Sequence, residues 1–159
     1  LYYSVFETSI CLMTIAGDEK GVCNLYFNTG KGKRSFEILE EWAVNDDFHK
    51  ESIMQIKDYL DGKRKRFDIE INPRGTEYQK KVWAELLDIP YANLCSYKDI
   101  AIKTGNGKAS RAVGMAIGKN PIPLIIPCHR VVGKNGKLTG FAHGVEMKRQ
   151  LIELEQNNL

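Results

Sequence analysis

The sequence predicts an α/β protein in two parts: a small strand-and-helix unit over residues 1–73 and a mainly helical unit over residues 74–159. Three observations predict this. Residues 1–30 hold short apolar runs divided by turn-forming clusters. Beyond residue 75 the apolar spacing becomes helical, with capping residues at the starts. Between the two, Asn72-Pro73-Arg74-Gly75 punctuates the chain. At 159 residues there is enough chain for one sizeable core or two small ones, and 43% hydrophobic with 27% charged residues reads as globular rather than disordered.

In order, residues 2–6, 10–16 and 22–27 read as strands, separated by Gly17-Asp18-Glu19 and closed by Asn28-Thr29-Gly30. Residues 36–44 and 48–60 have helical spacing, the second through Ile53, Ile56 and Leu60, with Asp61-Gly62 as its stop. Phe67, Ile69 and Ile71 alternate, which predicts a further strand. Thr76 is an N-cap for a helix running to Leu87, stopped by Asp88-Ile89-Pro90. Ser96 caps residues 97–104, Gly105-Asn106-Gly107 turns the chain, and residues 109–119 form the next helix. Two short helices joined by such a turn make a helix-turn-helix; the competing reading is a pair of packed core helices with no DNA role. Gly133-Lys134-Asn135-Gly136 turns into a loop over 138–144, and the last helix, 145–156, points Leu151, Ile152 and Leu154 inward.

A net charge of +3 permits nucleic-acid binding without arguing for it. No apolar run approaches the ~20 residues of a membrane span, so no membrane partner is expected. Glu7 interrupts the apolar start, and no basic residue precedes it, so a signal peptide is not expected either. The four cysteines, Cys11, Cys23, Cys95 and Cys128, form no Cys-x-x-Cys pair and fit a reducing compartment, cytosolic or nuclear, with the cytoplasm expected. Cys11, Cys23 and His49 match no zinc spacing; core packing is expected and no metal. Lys63-Arg64-Lys65-Arg66 reads as a solvated face, and Gly105-Asn106-Gly107 lacks the Gly-Lys-Ser/Thr of a phosphate loop.

The most informative segment is Ile126-Pro127-Cys128-His129-Arg130-Val131-Val132. A thiol becomes a nucleophile only as thiolate, and a histidine beside it can supply the base. A buried structural cysteine is the competing reading. The heptapeptide closely resembles the active-site signature of the O6-alkylguanine-DNA alkyltransferase family, repair proteins that move an alkyl group from damaged guanine onto their own cysteine. Gly75-Thr76-Glu77-Tyr78-Gln79, Val82-Trp83, Ile89-Pro90, Ser96-Tyr97, Ala109-Ser110-Arg111-Ala112-Val113-Gly114, Asn120-Pro121 and a late Glu155 follow the family's order and spacing.

The resemblance implies a ribonuclease-H-like N-terminal domain and a winged-helix-like C-terminal domain carrying the helix-turn-helix. It implies direct, irreversible, once-only alkyl transfer from O6 of guanine to Cys128, with O4 of thymine an open second substrate and the damaged nucleotide flipped out. His129 would take the thiol proton, Glu155 would orient the imidazole, and Asn120 would join the recognition helix to the active-site strand. Tyr97 would rotate the nucleotide, bind the base and protonate the departing ring. Ala109 and Ser110 would let the second helix approach the minor groove closely, and Arg111 would enter the stack. Phe141 and Ala142, in the loop 138–143, would form one wall of the base pocket with Tyr97, and backbone groups at Cys128 and Val131 would read the guanine edge. The implied partner is double-stranded DNA containing O6-alkylguanine, met by a monomer without cofactor or metal.

One departure concerns the pocket loop, Thr139-Gly140-Phe141-Ala142-His143-Gly144, where relatives more often carry Tyr before a small residue and then Gly-Gly. Phe141 can stack on a base but cannot donate a hydrogen bond, and His143 is expected to face solvent. Rival readings are a base-flipping binder without chemistry, opposed by Cys128 itself; a cysteine hydrolase, for which no oxyanion site is visible; and a winged-helix regulator, which leaves the Cys-His-Arg signature unexplained.

Overall fold

A computed structural model describes residues 1–30 and 36–159. β1 (Tyr2–Glu7), β2 (Leu12–Asp18) and β3 (Gly21–Phe27) form an antiparallel meander. β1 pairs with β2 from Tyr2 opposite Gly17 to Glu7 opposite Leu12, and β2 pairs with β3 with a bulge at Ala16/Gly17. A side chain at Gly17 would come within 2.6 Å of the Gly21 carbonyl, so the tight β2–β3 turn requires glycine there. β4 (Ala43–Val44) adds to the outer edge of β1 in parallel, giving a mixed sheet in the order β3-β2-β1-β4. Met13 to Gly17 are all buried, as expected of a strand covered on both faces.

α1 (Lys50–Leu60) packs its buried Gln55, Ile56, Tyr59 and Leu60 inward. Two expectations fail in this half. Residues 36–44 are not a helix: a turn precedes β4, and the Phe36 and Trp42 rings pack at 5.8 Å within the irregular stretch. Nor do residues 67–71 form a ladder strand. The Gln55 amide takes both backbone groups of Asp68, at 2.8 and 3.1 Å, and only Ile71 bridges to β3, opposite Val22.

The second half follows its capping residues. α2 (Glu77–Leu87) and α3 (Tyr97–Lys103) each start with a complete capping box, Thr76 with Gln79 and Ser96 with Asp99. α4 (Ser110–Gly118) packs against both, and the Trp83 indole N–H donates to the Ala116 carbonyl at 2.9 Å, locking α2 to α4. β5 (Cys95–Ser96) and β6 (Val131–Val132) form a two-stranded parallel sheet, and α5 (Val145–Asn157) closes the fold. That small sheet positions the site. It sets the start of α3, with Tyr97, beside the segment that leaves Cys128.

The two halves share one core. Met13, Phe27 and Tyr59 belong to the same buried cluster as Ile122, Leu124 and Leu151, and the Leu25 amide donates to the Pro121 carbonyl at 2.9 Å. Among the described residues no helix is long and apolar enough to cross a membrane.

Candidate active site

Cys128 sits not on a strand but at the start of a single 3-10 turn, Cys128–Arg130, just ahead of β6. Two residue types prepare this turn. Pro121, Pro123 and Pro127 deny the segment its amide hydrogens, so no helix or ladder can run through it. Asn120 then satisfies what is left: its amide nitrogen donates to the Ile126 carbonyl at 2.9 Å, and its oxygen accepts from the Ile122 amide at 3.0 Å. The turn is tight enough to hold Leu124 in the left-handed region at φ 76°. Asn120 lies just past Lys119, the C-cap of α4, so its two bonds tie the end of that helix to the segment leading to the cysteine.

The 3-10 turn aims His129 and Arg130 at one carboxylate, Glu155 of α5. The His129 Nε2–H donates to Oε2 at 2.6 Å. Arg130 donates twice, Nε to Oε1 at 2.9 Å and an η nitrogen to Oε2 at 3.0 Å. The Ala92 amide donates to Oε1 at 3.0 Å, from a residue held at φ 65°, and the Tyr59 hydroxyl donates to Oε2. Arg130 spends a further N–H on the Ile89 carbonyl at 2.6 Å and lies over the Tyr91 ring at 5.6 Å.

Burial sets the protonation pattern. It holds the His129 imidazole well below the usual histidine range, helped by the Arg130 and Lys148 charges, so the ring is neutral at physiological pH. With Nε2–H committed to Glu155, Nδ1 carries the lone pair, and it takes no hydrogen bond from the described residues. A neutral imidazole fixed in this tautomer is a proton acceptor. Burial also pushes the Glu155 carboxyl up to about 7, against the Ala92 amide, which favours the ionised form.

Next to Cys128 lies an enclosed cavity of about 10 Å³, lined by Ile117, Asn120, Phe141, Ala142, His143 and Lys148 among others. That is room for about one water, not for a purine. The loop that closes it is fastened through one carbonyl: the Tyr97 hydroxyl and the Lys148 ammonium both donate to Thr139 O, at 3.1 and 2.8 Å. Gly140 belongs at the fastening, since a side chain there would press on the Tyr97 hydroxyl at 3.2 Å and the backbone is left-handed at φ 69°. Burial raises the Tyr97 phenol and lowers Lys148 to about 8, while the neighbouring Cys128 favours the charged lysine.

Of the expected site residues, Cys128, His129, Glu155, Asn120, Tyr97, Phe141 and Ala142 gather here. Val131 is fully buried and does not line the cavity. His143 is also buried, contrary to the solvent-facing placement expected of it. Its ring packs on Phe27 at 4.7 Å and Tyr26 at 5.1 Å, residues of the other half that cover the loop. On the outer side, Arg111 is exposed at the start of α4, with Ala109 and Ser110 half-buried beside it and Met115 exposed one turn on. This face is small, apolar and singly charged.

Sequence reasoning missed Lys148, Tyr59 and Ala92, and read Arg130 only as part of a signature. Lys148 carried one faint signal: it falls three and seven residues ahead of the buried Leu151 and Glu155, on the inner face of α5. No group of His, Cys, Asp and Glu among the described residues could hold a metal. The Cys11 thiol is pushed up to about 11 by burial and Cys23 is raised too, which leaves both unreactive.

Comparison with known proteins agrees along the whole chain. Residues 1–73 match the family model described as the ribonuclease-like domain of 6-O-methylguanine DNA methyltransferase, and residues 77–157 match that of its DNA binding domain. The methylated-DNA–protein-cysteine methyltransferase of Methanosarcina acetivorans is 47% identical over 155 residues, 98% of each chain. The protein of that name from Mycobacterium bovis is 38% identical, over 99% of this chain and 93% of its own. The crystal structure of Mycobacterium tuberculosis OGT in complex with DNA superposes with a TM-score of 0.90 at 37% identity, covering 99% of this chain and 94% of the other.

Proposed function

The chain belongs to the methylated-DNA–protein-cysteine methyltransferase family and repairs DNA by direct alkyl transfer to a cysteine, and we propose that the acceptor is Cys128, the substrate O6-alkylguanine flipped from a duplex, and the proton acceptor His129. The observation that carries this reading is the neutral His129, held by Glu155 with Nδ1 left as the basic atom in the residue next to the thiol.

The thiol proton passes to His129 Nδ1, and the sulfur attacks the alkyl carbon. The S–C bond forms as the C–O6 bond breaks, and its electron pair goes onto the guanine ring. Tyr97, whose phenol burial keeps protonated, gives up its bond to Thr139 O and donates a proton to that ring. The net result is a thioether on Cys128 and a guanine that carries the Tyr97 proton; the proton held by His129 then returns, through solvent, to the Tyr97 phenolate, so both side chains end neutral. Ionised Glu155 steadies the imidazolium that forms on the way. The product has no leaving group to reverse the step, so each chain acts once. Because the resting cavity holds about one water, the Thr139 fastening must open before a base can enter.

Docking falls to α4. Ala109, Ser110 and the small outer face allow close approach to a groove, and Arg111 fills the place of the extruded nucleotide. The protein works as a monomer, in the cytoplasm, with the division of labour set at residues 73/74. The test is the mass of the protein after incubation with duplex containing O6-methylguanine. A gain of one methyl per chain, mapped to Cys128, is expected; no gain overturns the reading.

Arg111→Ala should slow duplex repair at least about tenfold while leaving reaction with free O6-benzylguanine within about twofold, since stabilising an extruded nucleotide is worth a few kcal/mol and the free base needs no extrusion. Equal losses on both substrates would remove the stacking role. Alkylation itself should weaken the fold. Cys128 is 5% exposed, and the cavity beside it is smaller than a methyl group needs. Overpacking a core costs about 1–3 kcal/mol, which lowers Tm by roughly 2–12 °C at this chain length. Thermal melts of unmodified, methylated and benzylated protein check this, with the benzyl form lowest; coincident melts would show that the site absorbs the adduct without strain.

A further inference from the structure

We propose that Tyr59, on α1 of the N-terminal half, is a positioning residue for alkyl transfer: its hydroxyl completes the donor set around Glu155 and so sets the proton affinity of the His129–Glu155 pair. The inference rests on the reading of His129 and Glu155 given above and extends it across the chain.

The geometry is specific. Tyr59 is fully buried and donates to Oε2, the same oxygen that accepts from His129 Nε2. Its ring is held in place by stacking on Phe67 at 4.8 Å and by an edge contact with Tyr91 at 5.8 Å. A second tie fixes the end of α1 against the end of α5, where the Asn158 amide donates to the Gly62 carbonyl at 2.8 Å. The remaining groups that face the carboxylate are His129 and Arg130 from the 3-10 turn and the Ala92 amide. Lys148 on α5 acts on His129 from further away. All of these come from the C-terminal half. Among the described residues Tyr59 alone brings a contribution from the N-terminal half, 96 residues away in sequence.

A neutral donor on a carboxylate favours its ionised form, and only ionised Glu155 can steady a charged His129. Without the hydroxyl, Glu155 holds its proton to higher pH. The rate of alkylation then needs a higher pH to reach the same plateau. The sign is fixed: the acid limb of the pH–rate profile moves up, never down. A displacement of about one pH unit corresponds to up to about tenfold in rate below the limb and to no change above it.

The experiment uses the full chain and free O6-benzylguanine, so that DNA docking plays no part. Single-turnover alkylation is followed from pH 5.5 to 9.5 for wild type, Tyr59→Phe, Asn158→Ala and Glu155→Gln, with Tm recorded for each. Tyr59→Phe keeps the ring and its packing. Its acid limb should rise by about one unit, with rates near wild type above pH 9. Asn158→Ala removes the other tie between α1 and α5; it should lower Tm but leave the limb in place. A Tyr59→Phe profile that superposes on wild type overturns the proposal, as does an equal loss at every pH. An Asn158→Ala limb displaced as far as that of Tyr59→Phe also overturns it, because the effect would then be general loosening. If Glu155→Gln itself reacts at the wild-type rate, the failure lies in the role assigned to Glu155.

Discussion

Cys128→Ser protein should gain no mass from duplex carrying O6-methylguanine under conditions in which wild type gains one methyl per chain. The change replaces sulfur by oxygen at one atom, and the expected loss is complete. A serine hydroxyl stays protonated at any pH the fold survives, and a His129 already held below its usual range by burial is too weak a base to ionise it. No other cysteine can take over. Cys11 and Cys23 are protonated by burial, and Cys95, on β5, does not line the cavity. Duplex binding should survive within about twofold, because Ala109, Ser110 and Arg111, the residues proposed to dock, start α4, while the cavity beside the sulfur is lined by Ile117 and Asn120 near and beyond its other end. Peptide mapping and a binding titration on the same sample separate the two functions. Alkylation of the serine variant at the normal rate, or wild-type modification mapped to Cys95, would show that the nucleophile lies elsewhere. Binding lost together with transfer would mean that the thiol also holds the docking face in place.

What the sequence made legible was what local chemistry decides. Thr76 and Ser96 sit three residues ahead of Gln79 and Asp99, and both pairs close as capping boxes because the partners are one turn apart. The adjacency of Cys128 and His129 is covalent, so no folding step could separate them. The unread parts all depend on distant chain. Residues 36–44 carry helical spacing, yet the edge of β1 offers Ala43 and Val44 a parallel partner that no local pattern encodes. Residues 67–71 alternate like a strand, but Gln55 has already taken the Asp68 backbone groups. His143 looked like an exposed loop residue because the rings that bury it, Tyr26 and Phe27, belong to the other half.

The same distinction explains the site. Glu155 was found through the family's spacing, but its surroundings were not. Arg130 follows His129 directly, and nothing in the sequence says that its guanidinium turns inward to the same carboxylate. The short 3-10 turn makes that possible: at about three residues per turn, two consecutive side chains can converge on one acceptor from either side. A strand in this position would have sent His129 and Arg130 to opposite faces.

That convergence makes Glu155 the residue whose loss should cost the fold most. Glu155→Ala removes one carboxylate that accepts five hydrogen bonds from four residues, and one of those residues is a buried cation. The Arg130 side chain is 10% exposed, and burial lowers its pKa to about 10 even with the carboxylate beside it. Left alone, the guanidinium has no anion within reach among the described residues and keeps only the Ile89 carbonyl and the Tyr91 ring. Removing one partner of such a pair costs about 3–5 kcal/mol, against roughly 5–15 kcal/mol of total stability. Urea unfolding should therefore show a midpoint lowered by about 1–5 M, taking a slope of about 1–3 kcal/mol per M. The double variant Glu155→Ala/Arg130→Met separates the cause. If the stranded charge dominates, replacing it with an unbranched apolar side chain restores part of the loss, and the double variant is more stable than Glu155→Ala alone. If the double variant is less stable than either single one, the loss comes from the cavity and from the unsatisfied Ala92 and Tyr59 donors instead. On the proposed mechanism the same bonds of the carboxylate serve fold and chemistry, so variants at Glu155 should lose stability and alkyl transfer together.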